Sequence, residues 1–145
     1  MDTREAIAAL VPHQGLMCLW ERVLAWDEGH IVLASDGHRD PRHPLRRDGC
    51  LHAVHLCEYG AQAMAVHGGL LGRGRGEAPR PGRLVALRDV RLHVARIDRL
   101  AGPLRGEAEV LMQGEDSQQY AFRILHEGSV LAEGRAAVML APHPA

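Results

Sequence analysis

With 145 residues, the chain has the length of one domain and no room for a second core, and 1–145 is read as a single unit. An apolar fraction of 46% against 24% charged residues excludes an intrinsically disordered chain, and a formal net charge of -1 argues against a general nucleic-acid surface. Three cysteines, Cys18, Cys50 and Cys57, cannot all pair and none lies in a CxxC, so reduced thiols packed as small hydrophobes are expected rather than a disulfide framework.

The opening MDTREAIAAL has neither the basic start nor the apolar run of a signal peptide, and no later stretch is apolar for the length of a membrane span, so the expected setting is cytoplasmic, with no membrane partner. Ala6, Ile7 and Leu10 fall at helical spacing behind Thr3, a good N-cap, and Pro12 is the expected stop. Residues 16–26 and 30–36 read as strands joined by the turn Asp27-Glu28-Gly29, with Trp20 and Trp26 expected to pack the hairpin. Residues 37–52, GHRDPRHPLRRDGCLH, have loop composition, and a loop this long in a small domain is usually functional.

The next segment, AVHLCEYGAQAMAVHGGLL, predicts a helix of about five turns ending at Gly68 and Gly69. Small residues on several faces and few charges place it in the core, with Tyr59, Met64 and Val66 as packing residues. A Gly/Pro/Arg linker over 72–83 follows. Strands over 84–97, 104–112, 119–126 and 130–140 then predict an antiparallel meander, and the tail PHPA is expected to fray. One long helix and six strands make an α+β fold.

Among residues able to do chemistry, Glu58 and Gln62 stand four apart on one helical face in a segment otherwise poor in charge. Burial would raise the pKa of such a carboxyl and the helix N-terminus would lower it; a solvent-exposed partner of the helix dipole is the bland alternative. Histidine titrates where proton abstraction at neutral pH needs it, and His38, His43, His52 and His55 are available as a base, although each alone is more often structural. His52-x-x-His55-x-Cys57 matches no usual zinc spacing, so no metal is expected. Cys57 reads as packing. Every basic residue is an arginine, and Arg39, Arg42, Arg46, Arg47, Arg73, Arg75, Arg80 and Arg83 crowd the middle of the chain, either as solvated loops or as a cradle for an acidic partner.

The stretches VPHQGLMCLWERV, GHRDPRHPLRRDG and HLCEYGAQAMAVHG, followed in order by GRLVALRDVRLHV, GPLRGEAEV and GSVLAEGRAAVML with its pair Gly134-Arg135, resemble the 3-hydroxyacyl-acyl-carrier-protein dehydratases of fatty-acid synthesis. They are more similar still to the dehydratases of aryl-polyene biosynthesis. The resemblance implies a hot-dog fold, a six-stranded antiparallel sheet wrapped around one long central helix. It implies a substrate carried on the phosphopantetheine of an acyl carrier protein, no cofactor of the protein's own, and a homodimer or a heterodimer with a related hot-dog subunit.

It also implies Glu58 as the catalytic acid, Gln62 and Gly49 as substrate-binding residues, and His38, which follows Gly37, as the base. Arg39 and Asp40 replace the Phe-Pro of the fatty-acid enzymes and the loop is longer, so His43 in His43-Pro44-Leu45 is the alternative base. On this reading a neutral histidine removes the C2 proton, Glu58 helps the 3-hydroxyl leave, and N–H groups at the start of the helix hold the thioester oxygen. In the family, the histidine and the acid come from opposite protomers. An acyl thioesterase on the same scaffold and a non-catalytic partner subunit are the alternative functions.

Overall fold

The computed structural model describes residues 2–11, 14–77, 80 and 82–142. Thr3 Oγ1 accepts from the Ala6 N–H at 3.1 Å and starts helix α1, Arg4–Ala8. The expected stop at Pro12 lies outside the described residues, as does the tail beyond Pro142. The first strand begins later than the sequence suggests. Gly15–Met17 form a 3-10 turn and β1 spans Arg22–Asp27, and the segment between them is fastened to the long helix. The Leu19 N–H donates to Gln62 Oε1 at 2.9 Å and the Trp20 indole donates to the Tyr59 carbonyl at 2.9 Å. Trp20 is thus fully buried, whereas Trp26, also expected to pack, is 46% exposed.

Strand β2, His30–Ser35, returns antiparallel to β1 through the expected turn, where Asp27 Oδ1 accepts from the Gly29 N–H at 2.9 Å. A long loop leads through a 3-10 turn at Ala53–His55 into α2, Leu56–Gly74. The helix passes through Gly68 and Gly69, its expected end. Neither glycine adopts positive φ; a Cβ on Gly69 would lie 2.7 Å from the Leu10 carbonyl oxygen, so this residue permits close packing rather than a stop. Termination falls to Gly76, with φ +72 and its N–H on the Arg73 carbonyl.

The remaining strands are β3 (Gly82–Leu92), β4 (Leu104–Gln113), β5 (Ser117–His126) and β6 (Ser129–Leu140). All pair antiparallel in one six-stranded sheet of order β1-β2-β4-β5-β6-β3, whose inner face packs on α2 in the hot-dog arrangement. The expected four-strand meander is corrected to three, β4-β5-β6, with β3 crossing to the far edge beside β6. β3 also stops at Leu92 rather than residue 97. Past that point the chain pairs with the loop before α2, the Ala53 N–H reaching the Ala95 carbonyl and the Ile97 N–H the Leu51 carbonyl, both at 3.0 Å.

The core between sheet and helix is apolar, with Met64, Val66, Phe122 and Ile124 buried. Gly60 lets the helix approach the sheet, for a Cβ there would fall 2.6 Å from the Phe122 ring. His67 Nε2–H donates to the Asp27 carbonyl at 2.7 Å and its Nδ1 lies 2.5 Å from Tyr120 Oη, tying α2 to the first hairpin and to β5. At the far edge β3 leaves Leu84, Val85, Leu87, Val90 and Leu92 at least 36% exposed. No helix among the described residues is long and apolar enough to cross a membrane.

Candidate active site

Glu58 sits in the first turn of α2 with its carboxylate held by the Gln62 side chain one turn on, Nε2 to Oε1 at 3.1 Å. The Gln62 amide is 1% exposed and is engaged on both sides: Nε2 also donates to the Met17 carbonyl at 2.8 Å while Oε1 takes the Leu19 N–H. It therefore fastens the N-terminal segment to the helix and orients Glu58. Half-buried Glu58 opens onto a cavity of about 510 Å³ between α2 and strands β3 and β6, with walls that include Ala61, Met64, Ala65, Leu84 and Val138.

His38 lies in a 3-10 turn directly after β2 and is fully buried. Its Nε2 is 2.8 Å from the Leu100 carbonyl oxygen, which can only accept, so Nε2 carries the proton and Nδ1 bears a lone pair. That Nδ1 is buried and has no hydrogen-bond partner among the described residues. Burial pushes the ring's pKa below the ordinary histidine value, and the Leu100 carbonyl opposes this by favouring the protonated form. The result is a neutral imidazole with its basic nitrogen unengaged.

His43 differs. Its Nδ1 accepts from the Leu45 N–H at 3.2 Å, so Nε2–H is directed to Tyr59 Oη at 3.1 Å, and the ring stacks on Tyr59 with 22° between planes. Burial, aided by the nearby Arg46 guanidinium, lowers its pKa to about 4. Both nitrogens are thus engaged in packing the loop onto α2. Gly49 stands at φ +74 beside Asp48 at φ +53, in the tight turn closed by reciprocal Arg47 and Cys50 backbone bonds of 2.9 Å, and its carbonyl accepts from Arg46.

Glu58 lines the cavity; His38, His43 and Gly49 do not. One copy of the chain therefore does not bring Glu58 and either histidine together around this cavity. The expectation of oxyanion donors at the start of the helix needs correcting. The Ala53 N–H is taken by the Ala95 carbonyl, Val54 N–H by His52 Nδ1, His55 N–H by the His52 carbonyl and Leu56 N–H by Ala53. Burial raises the Cys57 thiol pKa, consistent with packing, and all three cysteines are free thiols. Among the described residues no group of three or more His, Cys, Asp or Glu side chains could hold a metal ion.

The arginines are partly engaged within the chain. Arg42 pairs with Asp40 at 2.9 Å and holds that carboxyl at about 2, Arg80 pairs with Asp116 at 2.9 Å, and Arg46 donates to the His38 carbonyl. Two contributors escaped the sequence reading. Tyr59, taken as core, supplies the hydroxyl that occupies His43. Gln118 lines the far end of the cavity, and its signal was parity: it begins the inward row Gln118, Tyr120, Phe122, Ile124 of β5.

Residues 5–145 match the model of a family described as ApeP-like, ApeP dehydratase. Among solved structures the chain is similar to the dehydratase heterocomplex ApeI:P from Xenorhabdus doucetiae, with 27% identity, a TM-score of 0.85 and coverage of 94% of this chain and 91% of that one. It shares its fold with zebra fish thioesterase superfamily member 2 (20% identity, TM-score 0.61, 95% of each chain). It also shares the fold with a hypothetical thioesterase from Streptococcus pneumoniae TIGR4 solved with coenzyme A (16% identity, TM-score 0.60, 86% and 88%). No curated protein sequence matches it.

Proposed function

The chain belongs to the ApeP-like dehydratase family, and from that membership we propose that it dehydrates a 3-hydroxyacyl thioester, carried on the phosphopantetheine of an acyl carrier protein, to the trans-2-enoyl thioester. The observation that carries this reading is the ring of His38: Nε2 fixed on the Leu100 carbonyl, Nδ1 buried without a partner, and burial holding it neutral. That nitrogen is a base in waiting. It takes the C2 proton of the substrate, the C2–H electron pair becomes the C2–C3 double bond, and the C3–O bond breaks. Glu58 gives a proton to the departing hydroxyl, which leaves as water. Since His43 has no unengaged nitrogen, it is the weaker candidate for the base.

The reading includes a second hot-dog subunit. Glu58 faces a cavity that His38 does not line, so a base from another protomer would complete each site. The unpaired edge of β3, with its exposed apolar side chains, offers a surface for that protomer. The similar ApeI:P structure is itself a heterocomplex, which favours a related partner subunit over a second copy.

The test is intact-mass analysis of a 3-hydroxyacyl group on an acyl carrier protein, incubated with the purified protein alone and with a related hot-dog subunit. Water loss is expected, abolished by His38→Ala and by Glu58→Ala, and retained in proportion to folded protein by His43→Ala. Dehydration that survives His38→Ala refutes the assigned base. Conversion of a saturated acyl thioester to free thiol would instead mark a thioesterase. A complex whose dehydration is indifferent to both His38→Ala and Glu58→Ala would mark a structural partner.

A further inference from the structure

Asp98 is a buried carboxylate outside the cavity, and its partners join the segments that carry His38 and Glu58. It lies past the end of β3, in the stretch that pairs with the loop before α2, and is 8% exposed. Its Oδ1 accepts from the Leu51 N–H at 2.9 Å and from Arg96 Nε at 3.0 Å, and its Oδ2 accepts from Arg96 Nη2 at 2.5 Å. The Arg96 guanidinium thus closes on it as a fork and holds the carboxyl well below the usual carboxylate range. Burying an anion is unfavourable unless it is paired and hydrogen-bonded, as this one is, and the return is geometric precision.

The bonds around it run in two directions. Toward α2, the Leu51 carbonyl accepts from the Ile97 N–H and the Ala53 N–H reaches the Ala95 carbonyl, both at 3.0 Å; Ala53 opens the 3-10 turn that leads into α2 and Glu58. Toward His38, the Leu100 N–H donates to the Ile97 carbonyl at 3.1 Å, and the Leu100 carbonyl accepts from His38 Nε2. The next carbonyl, of Ala101, is taken by His126 Nε2 at 2.6 Å, and Gly102 follows at φ +80. Ile97 is fully buried and Leu100 packs against the core, but burial is non-directional. Aiming a carbonyl at one ring nitrogen takes directional bonds, which the Asp98 carboxylate supplies at the root of the turn.

We propose that Asp98, clasped by Arg96, is a positioning residue: it aims the Leu100 carbonyl at His38 Nε2, keeps the lone pair on Nδ1, and ties the same turn to the segment that places Glu58. The inference rests on His38 being the base of the proposed dehydration. Without the clasp the turn loosens and the Leu100 carbonyl no longer selects one tautomer. The ring proton then distributes between Nε2 and Nδ1, and only the fraction with a bare Nδ1 can take the C2 proton. Substrate binding is spared, since Arg96, Asp98 and Leu100 do not line the cavity.

The experiment reads the ring directly, by proton–nitrogen NMR of the protein with isotope-labelled histidines, alone and in complex with a related subunit. His38 is picked out of the ten histidines by its absence from His38→Ala. The wild type is expected to show a protonated Nε2 and a bare Nδ1, and in Asp98→Ala the two nitrogen signals move toward each other. In the dehydration assay on the complex, kcat for Asp98→Ala falls roughly tenfold to hundredfold while KM stays within about twofold. Asp98→Asn, which keeps an acceptor for the Leu51 N–H and for Arg96, recovers most of both. His67→Leu removes a buried bond to the Asp27 carbonyl, at the other end of β2, and is the control for lost stability; its His38 signals stay as in the wild type. Should Asp98→Ala not fold, Arg96→Leu opens the fork from its partly exposed side and is expected to shift the signals in the same sense. Unchanged signals in folded Asp98→Ala or Arg96→Leu, or an equal change in His67→Leu, overturn the positioning role and leave the dehydratase reading standing. A wild-type complex that removes no water overturns that reading, whatever the ring does.

Discussion

Replacing Gln62 by leucine separates the two tasks its amide performs. The side-chain volume is nearly kept, so the cost comes from hydrogen bonding rather than from a cavity. The substitution strips the buried Leu19 N–H of its acceptor at 2.9 Å and the partly buried Met17 carbonyl of its donor at 2.8 Å. A buried unpaired donor costs about 1–3 kcal/mol, and a carbonyl that water can partly reach costs less, giving about 2–4 kcal/mol in all. For a chain of this size that is a fall in melting temperature on the order of 10 °C. Urea and thermal unfolding measure it, with Gln62→Glu as the control. That second substitution places a carboxylate against Glu58 Oε1, now 3.1 Å from the amide nitrogen. Like charge raises the carboxyl pKa in the folded state, so the folded chain binds the extra proton and stability falls as pH rises. Gln62→Glu is therefore expected to be less stable at about pH 8 than at about pH 5, relative to Gln62→Leu. A melting temperature for Gln62→Leu within about 2 °C of wild type would refute the role given to the amide.

Three further outcomes follow from the packing. His38, His43 and His67 all have pKa values depressed by burial, His43 to about 4, so the unfolded chain binds more protons below its ordinary value of 6.5. Stability should be complete above that value and fall with acidification, by up to ~1.4 kcal/mol per pH unit for each histidine; a flat urea midpoint across this window would contradict it. Gly60→Ala gains about 1 kcal/mol of helix propensity but forces a Cβ against Phe122, which costs about 1–3 kcal/mol, so the net effect should be destabilising. Phe122→Leu in the same chain should recover part of that loss in a double-mutant cycle. His67→Leu leaves Tyr120 Oη buried without its partner and is expected to cost about 2 kcal/mol, whereas His67→Leu with Tyr120→Phe costs less than the sum of the single changes, as read from chemical denaturation.

The strands and the long helix were legible because alternation and helical spacing are local properties. β5 and β6 lie within two residues of where the pattern places them, and the Thr3 cap is where the composition puts it. Strand order was not legible, since β3 could satisfy its hydrogen bonds on either β4 or β6 and only the fold chooses β6. The ends of elements failed for the same reason. Leu19 looks like a strand residue until the Gln62 side chain takes its backbone N–H, and the Trp20 indole is fixed on the Tyr59 carbonyl. At the site, the spacing of Glu58 and Gln62 was visible in the chain. The difference between His38 and His43 was not, for it depends on which ring nitrogens meet Leu100, Leu45 and Tyr59.

The place of β6 between β5 and β3 has a consequence for how the chain is made. β3 leaves the ribosome well before β6, yet among the described residues its sheet neighbour is β6 alone, and α2 emerges before the three strands β4, β5 and β6 that pack on it. The sheet cannot close in the order of synthesis. Its far edge stays unpaired until the last strand is out, and pairing across that sequence distance is slow compared with a local hairpin. An early stop in translation just before residue 129 would therefore release a chain in which β1, β2, β4 and β5 can pair while the apolar β3 is left without its partner, a combination prone to aggregate.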